Sequence, residues 1–384
     1  MDQPAKSSRK GLPTATRRAA ALVLLCALAG ALAGPASALA NEPVGTIKRV
    51  EGRPTIQRAM VGSAQEPQIQ AVIGGPVYVG DTVRTKEGEG VGVLLSDDTV
   101  IAVGESSQVV LDQFVFDPAK GKAVLSAKLS EGSFQYRAGM VGKLFPGSVR
   151  LNMPAASVGA GDREVAGRVC RADDSACGAV TGGSGIRPLG GDEMLRGQID
   201  PSRQKRASEI VMVVPDASGK GRDVEVSTAQ GKQTLGSGGE AAVIGGGGSR
   251  GRPETTKVSE SVVSSFIGNM TRVNVQPPRE FVFLFESGST TMAQQSAETA
   301  QQVKADLANR VHKEAVVVGH ADSVGSAQTN LALSRARAEA VRDLLVESGI
   351  DASAVRVEAR GAADPMVRAG GSEIRNRRVV VTVR

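Results

Sequence analysis

The sequence predicts a multidomain chain in which an all-β domain is followed by an α/β domain with helices on a mixed sheet. Two patterns carry this prediction. Between Val44 and about Gly245, short apolar-alternating runs are broken by glycine and acidic turns, the pattern of many short strands in a barrel or sandwich. From about residue 280 onward, β-branched runs alternate with stretches of helical periodicity, the pattern of helices packed on a sheet.

Ahead of both domains, Lys6, Arg9, Lys10, Arg17 and Arg18 precede an apolar stretch from Ala19 to Ala33, and Ala38, Leu39 and Ala40 form a small-x-small cleavage site. Residues 1–40 therefore read as a secretory signal cut before Asn41. An uncleaved membrane anchor is the alternative, but the apolar stretch falls short of the about 20 residues a span requires. Cys26 follows Leu25, where a lipoprotein signal needs a small residue, and the Arg17, Arg18 pair lacks the flanks of a twin-arginine signal. Removing the signal takes five of 46 basic and one of 40 acidic residues, which leaves 41 against 39, a net charge of +2. A polyanion-binding protein is not indicated by that balance. Eight Phe, two Tyr and no Trp supply neither base-stacking platforms nor the girdles of a membrane barrel.

Within the all-β domain, expected over 41–245, the strand runs include VGTIKRVEG, GGPVYVGDTVRT, GVGVLLSDDTVIAVGESSQVVLD and AKLSEGSFQYRAG. Residues 160–208 read as a polar, glycine-rich insertion, and VEVSTAQGKQTLGSGGEAAVIG as the last hairpins. The insertion holds Cys170 and Cys177, which in an exported chain predict a local disulfide. Closing that loop contributes about 2.5 kcal/mol in the loop-entropy model. A metal site is the rival, but two thiolates without a neighbouring histidine give too few ligands. Residues 246–279 read as a linker with a short helix over Val262 to Met270. Gly246, Gly248 and Gly251 fit G-x-G-x-x-G, but Arg252 and Pro253 stand where a helix would open, so a dinucleotide site is not expected.

In the C-terminal domain, expected over 280–384, Phe281, Phe283 and Phe285 alternate through a first strand and share one face. Ala300, Val303, Leu307 and Val311 follow at helical spacing. The run Ala315 to Gly319 is a buried strand, so Asp322 stands just past a strand end. A helix from about Gln328 to Ser348 is closed by Gly349, and strands are expected at Val355 to Ala359 and Arg378 to Val383. Asn330 and Arg337 are seven residues apart and share a helix face with Leu333, Ser334 and Val341. That face can look back at Asp322. A carboxylate and a guanidinium a few ångströms apart would hold an ammonium and a carboxylate borne on one carbon. The plainer alternative is a surface ion pair between Asp322 and Arg337, contributing about 0 to 1 kcal/mol.

The segments FVFLFESGSTTM, GHADSVGSAQTNLALSRARAEAV, VRVEARGAADP and NRRVVVTV stand in this order between 280 and 384. This part of the chain resembles the OmpA-like peptidoglycan-binding domain. The resemblance implies a βαβαβ-type fold of helices on a mixed sheet. It also implies a site in which Asp322 and Arg337 grip the free amino and carboxyl groups of meso-diaminopimelate in the peptidoglycan stem peptide. Asn330 matches the family's supporting asparagine, Asn376 and Arg377 fall on the NRRV motif bordering the pocket, and Glu286 aligns with an acidic position after the first strand. Two positions depart from the pattern: Ala321 replaces a threonine, and Glu373 stands where an arginine is common. His320 matches a family histidine and is expected to be a structural hydrogen-bonder.

In the N-terminal domain, GDTVRT, the acidic turn of LSDDTVIAVG, SSQVVLD and LSEGSF resemble the FecR-like domain of exported bacterial proteins, best over 44–154. Where that family has an arginine-glycine-threonine motif, ASVGAGDREVAG stands here. A signal peptide at the N-terminus leaves no cytosolic segment, so an anti-sigma role is not expected. What the resemblance implies instead is a periplasmic ligand or partner.

The chain shows no HExxH and only two histidines, so no enzyme, metal or cofactor is expected. The expected function is non-enzymatic binding of peptidoglycan in the periplasm, with outer-membrane association left open. A signalling or scaffold protein that binds a protein partner is the first alternative, and a cell-wall hydrolase the second.

Overall fold

The computed structural model of the chain describes residues 42–59, 67–171, 174–183, 207–215, 221–245, 251–368 and 371–384. The expected signal segment lies outside the described residues, as do residues 184–206 of the expected insertion and two of the three glycines of the G-x-G-x-x-G match. Residues from Pro43 to Arg384 cluster as one unit.

The β-rich part is organised on one long strand, Lys122–Arg137. Its first half pairs antiparallel with Gln108–Asp117 and parallel with Val149–Asn152. Its second half pairs antiparallel with Val100–Val103 and Val165–Val169. The strand thus leaves one sheet and enters a second, and it turns at Gly132, where φ is +79°. Any Cβ there would stand 2.4 Å from the Ser106 carbonyl oxygen, so only glycine fits the crossover. Ser107 secures it, its hydroxyl accepting from the Ser133 N–H at 2.8 Å. Leu125, Leu129, Tyr136, Leu151 and Val158 fill the space between the sheets.

Two expectations change here. The run Val165–Val169, placed by sequence in a polar insertion, is a core strand in which Val165 and Ala166 are fully buried. Its small residues hide it, and Gly167 is small because a Cβ would lie 2.4 Å from the Phe134 ring. The stretch expected as a linker is also structured. Glu254–Lys257 adds a strand to Glu240–Gly245, and the helix Glu260–Thr271 buries Val263, Phe266 and Met270 beside Ala102, Ile210 and Met212. Cys170 and Cys177 are joined in a disulfide. Beside it, Arg168 donates to the Phe266 carbonyl at 3.1 Å and to Asp174 at 3.1 Å.

Beyond that helix, the chain runs across Gly92, where a Cβ would meet the Val273 carbonyl oxygen at 2.1 Å, and enters the C-terminal domain. Its elements are β1 (Arg279–Leu284), α1 (Ser296–Ala308), β2 (Ala315–Gly319), α2 (Ala327–Glu347), β3 (Val355–Ala359) and β4 (Arg378–Val383). The sheet order is β1-β4-β2-β3; β2 and β3 are parallel and the other pairs antiparallel. Phe281, Phe283 and Phe285 are buried on one face, as a period of two requires. Val303 and Leu307 of α1 join them, but Val311 is 59% exposed because α1 stops at Ala308. Ser326 caps α2 by accepting from the Thr329 N–H at 3.1 Å, and Gly349, at φ +93°, ends it.

The domain meets the β-rich part at the ends of β2 and β4 that lie away from α2's first turn. Lys48, 3% exposed, pairs with Glu314 at 2.9 Å, and Arg384 pairs with Asp98 at 2.8 Å. His312 Nε2 lies 2.9 Å from the other Glu314 oxygen.

Candidate functional site

At the opposite end of β2 the chain is pinned before it turns. The Ala321 N–H donates to the Gly361 carbonyl at 2.8 Å, and the His320 N–H donates to that of Arg378 at 2.8 Å. These bonds fix the next residue, Asp322, whose side chain is nearly buried at the strand end. Burial, together with the charges of Arg378 and Arg360, lowers the His320 pKa to about 4, so its imidazole is neutral at physiological pH. The Ala321 methyl is buried and places no hydroxyl beside Asp322.

From α2, Asn330 donates through Nδ2 to the Asp322 carbonyl at 3.1 Å. Seven residues further along, Arg337 is fully buried. Its guanidinium donates to three backbone carbonyls: Ser289 at 2.9 Å, Glu286 at 2.9 Å and His320 at 3.4 Å. It also lies over the Phe285 ring, 5.4 Å from the centroid. Burial lowers its pKa to about 10; the Asp322 charge opposes that shift and the Arg377 charge adds to it. Arg337 therefore keeps its charge at neutral pH. A guanidinium carries five N–H groups, so three bonds to carbonyls leave two available.

The ion-pair partner of Asp322 is Arg377. Arg377 Nη1 stands 3.1 Å from Asp322 Oδ2 and 2.7 Å from Ser372 Oγ, while its Nε donates to the Phe285 carbonyl at 3.1 Å. The other carboxylate oxygen, Oδ1, accepts from the Val324 N–H at 3.3 Å. Among the described residues, the Asp322–Arg337 surface ion pair posed as an alternative does not form, because Arg337 is enclosed by carbonyls and Asp322 is paired elsewhere.

Two other sequence-chosen residues occupy different places. The Asn376 amide is spent on Val367, accepting from its N–H at 3.0 Å and donating to its carbonyl at 2.8 Å, so it pins the loop before β4. Glu286 has an exposed side chain and contributes its backbone carbonyl to Arg337. Glu373 pairs with Arg375 at 3.0 Å. Sequence reasoning missed Ser289 and Ser372, because one acts through its main chain and the other is a loop serine with no pattern to mark it. Ser323 was equally silent, yet its hydroxyl accepts from the Gly371 N–H at 3.0 Å and so ties the Asp322 turn to the loop holding Ser372.

Residues 284–378 match the OmpA family. The C-terminal domain is OmpA-like. Over 101 residues the chain is 34% identical to the probable lipoprotein YiaD of Escherichia coli (strain K12), a match covering 26% of this chain and 46% of that protein. Over 82 residues it is 33% identical to the peptidoglycan-associated lipoprotein of Agrobacterium fabrum, covering 21% of this chain and 46% of the relative. The chain thus spans less than half the length of either. Among solved structures, the peptidoglycan-associated lipoprotein from Burkholderia pseudomallei is 25% identical, with 27% of this chain and 90% of that chain covered at a TM-score of 0.26. The family match takes in Asp322, Asn330, Arg337, Asn376 and Arg377 alike. Every polar contact of the candidate site lies within the matched residues.

Proposed function

We propose that this is a non-enzymatic protein of the bacterial cell envelope whose OmpA-like domain binds peptidoglycan, holding the diaminopimelate of a stem peptide between Asp322 and Arg337. The observation that carries this reading is the buried, charged Arg337 guanidinium, bonded among the described residues only to neutral carbonyls and set beside a carboxylate at a strand end. In this reading the ligand's carboxylate takes the remaining N–H groups of Arg337, and its ammonium adds to the Asp322 carboxylate. Asn330 acts one step back, holding the Asp322 main chain. The name of the Agrobacterium relative, a peptidoglycan-associated lipoprotein, supports the same class of partner. Residues 1–40, read as an export signal, agree with a periplasmic location. The β-rich part, read as FecR-like, engages a second ligand or protein.

Co-sedimentation with purified peptidoglycan tests the site. Asp322→Asn keeps the shape and removes the charge, and Arg337→Met removes the guanidinium; each is expected to weaken binding about tenfold or more. Unchanged binding by both variants would show that the wall is gripped elsewhere. Release of soluble fragments from sacculi incubated with the protein would favour a hydrolase instead.

A further inference from the structure

The site already contains a cation on its carboxylate. Asp322 Oδ2 is taken by Arg377 at 3.1 Å and Oδ1 by the Val324 N–H. Arg377 is itself fixed, 8% exposed and bonded through two nitrogens to the Phe285 carbonyl and the Ser372 hydroxyl. The charges that act on Arg337 are those of Asp322 and Arg377. Two guanidiniums and one carboxylate leave this group at +1. Of the nearby acids, the Glu286 side chain is exposed, and Glu373 feels the Arg377 charge but is held by Arg375 at 3.0 Å, a pair that is neutral as a whole.

We infer that Arg377 is a specificity-determining residue that weights the site towards the ligand's carboxylate over its ammonium. This inference rests on the proposed diaminopimelate reading. An arriving ammonium must share Asp322 with a guanidinium already in contact and is repelled by it. An arriving carboxylate meets two cations, one of which has, among the described residues, only neutral partners to leave or share. The ligand class is therefore a stem peptide whose diaminopimelate keeps its side-chain carboxylate free. Conversion of that group to a carboxamide, which leaves the ammonium in place, removes the dominant contact.

Calorimetric titration of the full chain with three stem peptides tests this. The first carries unmodified diaminopimelate, the second its side-chain carboxamide, and the third a free carboxylate with hydrogen in place of the amine. The carboxamide is expected to bind about tenfold or more weakly than the first peptide, and the deaminated peptide only about threefold more weakly. In Arg377→Gln, Asp322 is released to the ammonium and the gap between the two modified peptides narrows. A carboxamide that binds as well as the deaminated peptide overturns the role of Arg377 and leaves the Asp322 and Arg337 reading standing. Failure of all three peptides to bind overturns that reading as well. Because the comparison of peptides is made on the unaltered protein, it stands even if Arg377→Gln does not fold.

Discussion

Alanine at Gly319 is expected to cost the C-terminal domain about 3 kcal/mol of stability, near the upper end of ordinary overpacking. The glycine lies where α2 crosses β2, and a Cβ there would stand 2.0 Å from the Ser334 carbonyl oxygen and 2.8 Å from the carbon behind it. Both are main-chain atoms, so no side chain can swing aside. Either α2 lifts off the sheet or β2 bends away. Lifting α2 exposes Ala338, Val341 and Leu345, all fully buried, and moves Asn330 off the Asp322 carbonyl and Arg337 off the carbonyls that hold it. Denaturant unfolding reads the stability loss, and peptidoglycan co-sedimentation reads the accompanying loss of the site. A stability change under about 0.5 kcal/mol, the range of ordinary surface substitutions, would mean that helix and strand do not approach so closely.

Glu314→Ala is expected to destabilise the attachment between the domain and the β-rich part by about 2 kcal/mol, because it leaves the Lys48 ammonium buried without a counter-charge. Burial already lowers the Lys48 pKa, while Glu314 holds it up. Lys48→Met removes the buried charge itself and is expected to cost far less, since Glu314 remains 30% exposed and can be solvated. Burial alone would raise the Glu314 pKa, but Lys48 and His312 bring it below its ordinary 4.5. A carboxylate depressed in the folded state adds stability above its unfolded pKa and loses it as pH falls through the folded value. The difference between Glu314→Ala and the parent is therefore expected to be full at neutral pH and to collapse as pH drops below 4.5. Asp98 is raised by burial against the pull of Arg384 and acts in the opposite sense, so the comparison with the parent isolates Glu314. A difference that stays constant down to acid pH would show that Glu314 is not charged at this contact.

Much of the site was legible because its parts lie close in sequence. A β-branched run ending in Gly319 places Asp322, and a seven-residue interval puts Asn330 and Arg337 on one helix face; both follow from local periodicity. The Asp322–Arg377 pair was not legible as such. Its members are separated by 55 positions and meet only because β4 lies antiparallel beside β2. Arg377 could be placed near the pocket by motif, but not on the carboxylate. The same limit governed the β-rich part. Val262 to Met270 shows helical spacing, yet the residues that bury that helix, such as Ala102 and Met212, are far along the chain, so a packed helix looked like a linker. Val165–Val169 was missed for another reason: close packing against Phe134 demands small residues, and small residues weaken the strand pattern.

Strand β2 has Glu314 just before it and Asp322 just after it, so one short span joins the attachment to the β-rich part with the candidate wall site. At about 3.3 Å per residue in a strand, pulling between those two points stretches the sheet along its strands. The load then runs through the covalent backbone of β2 itself, and its hydrogen bonds to β3 and β4 are not opened one after another. If the wall holds one end and a partner of the β-rich part the other, tension crosses the domain along the backbone of a single strand.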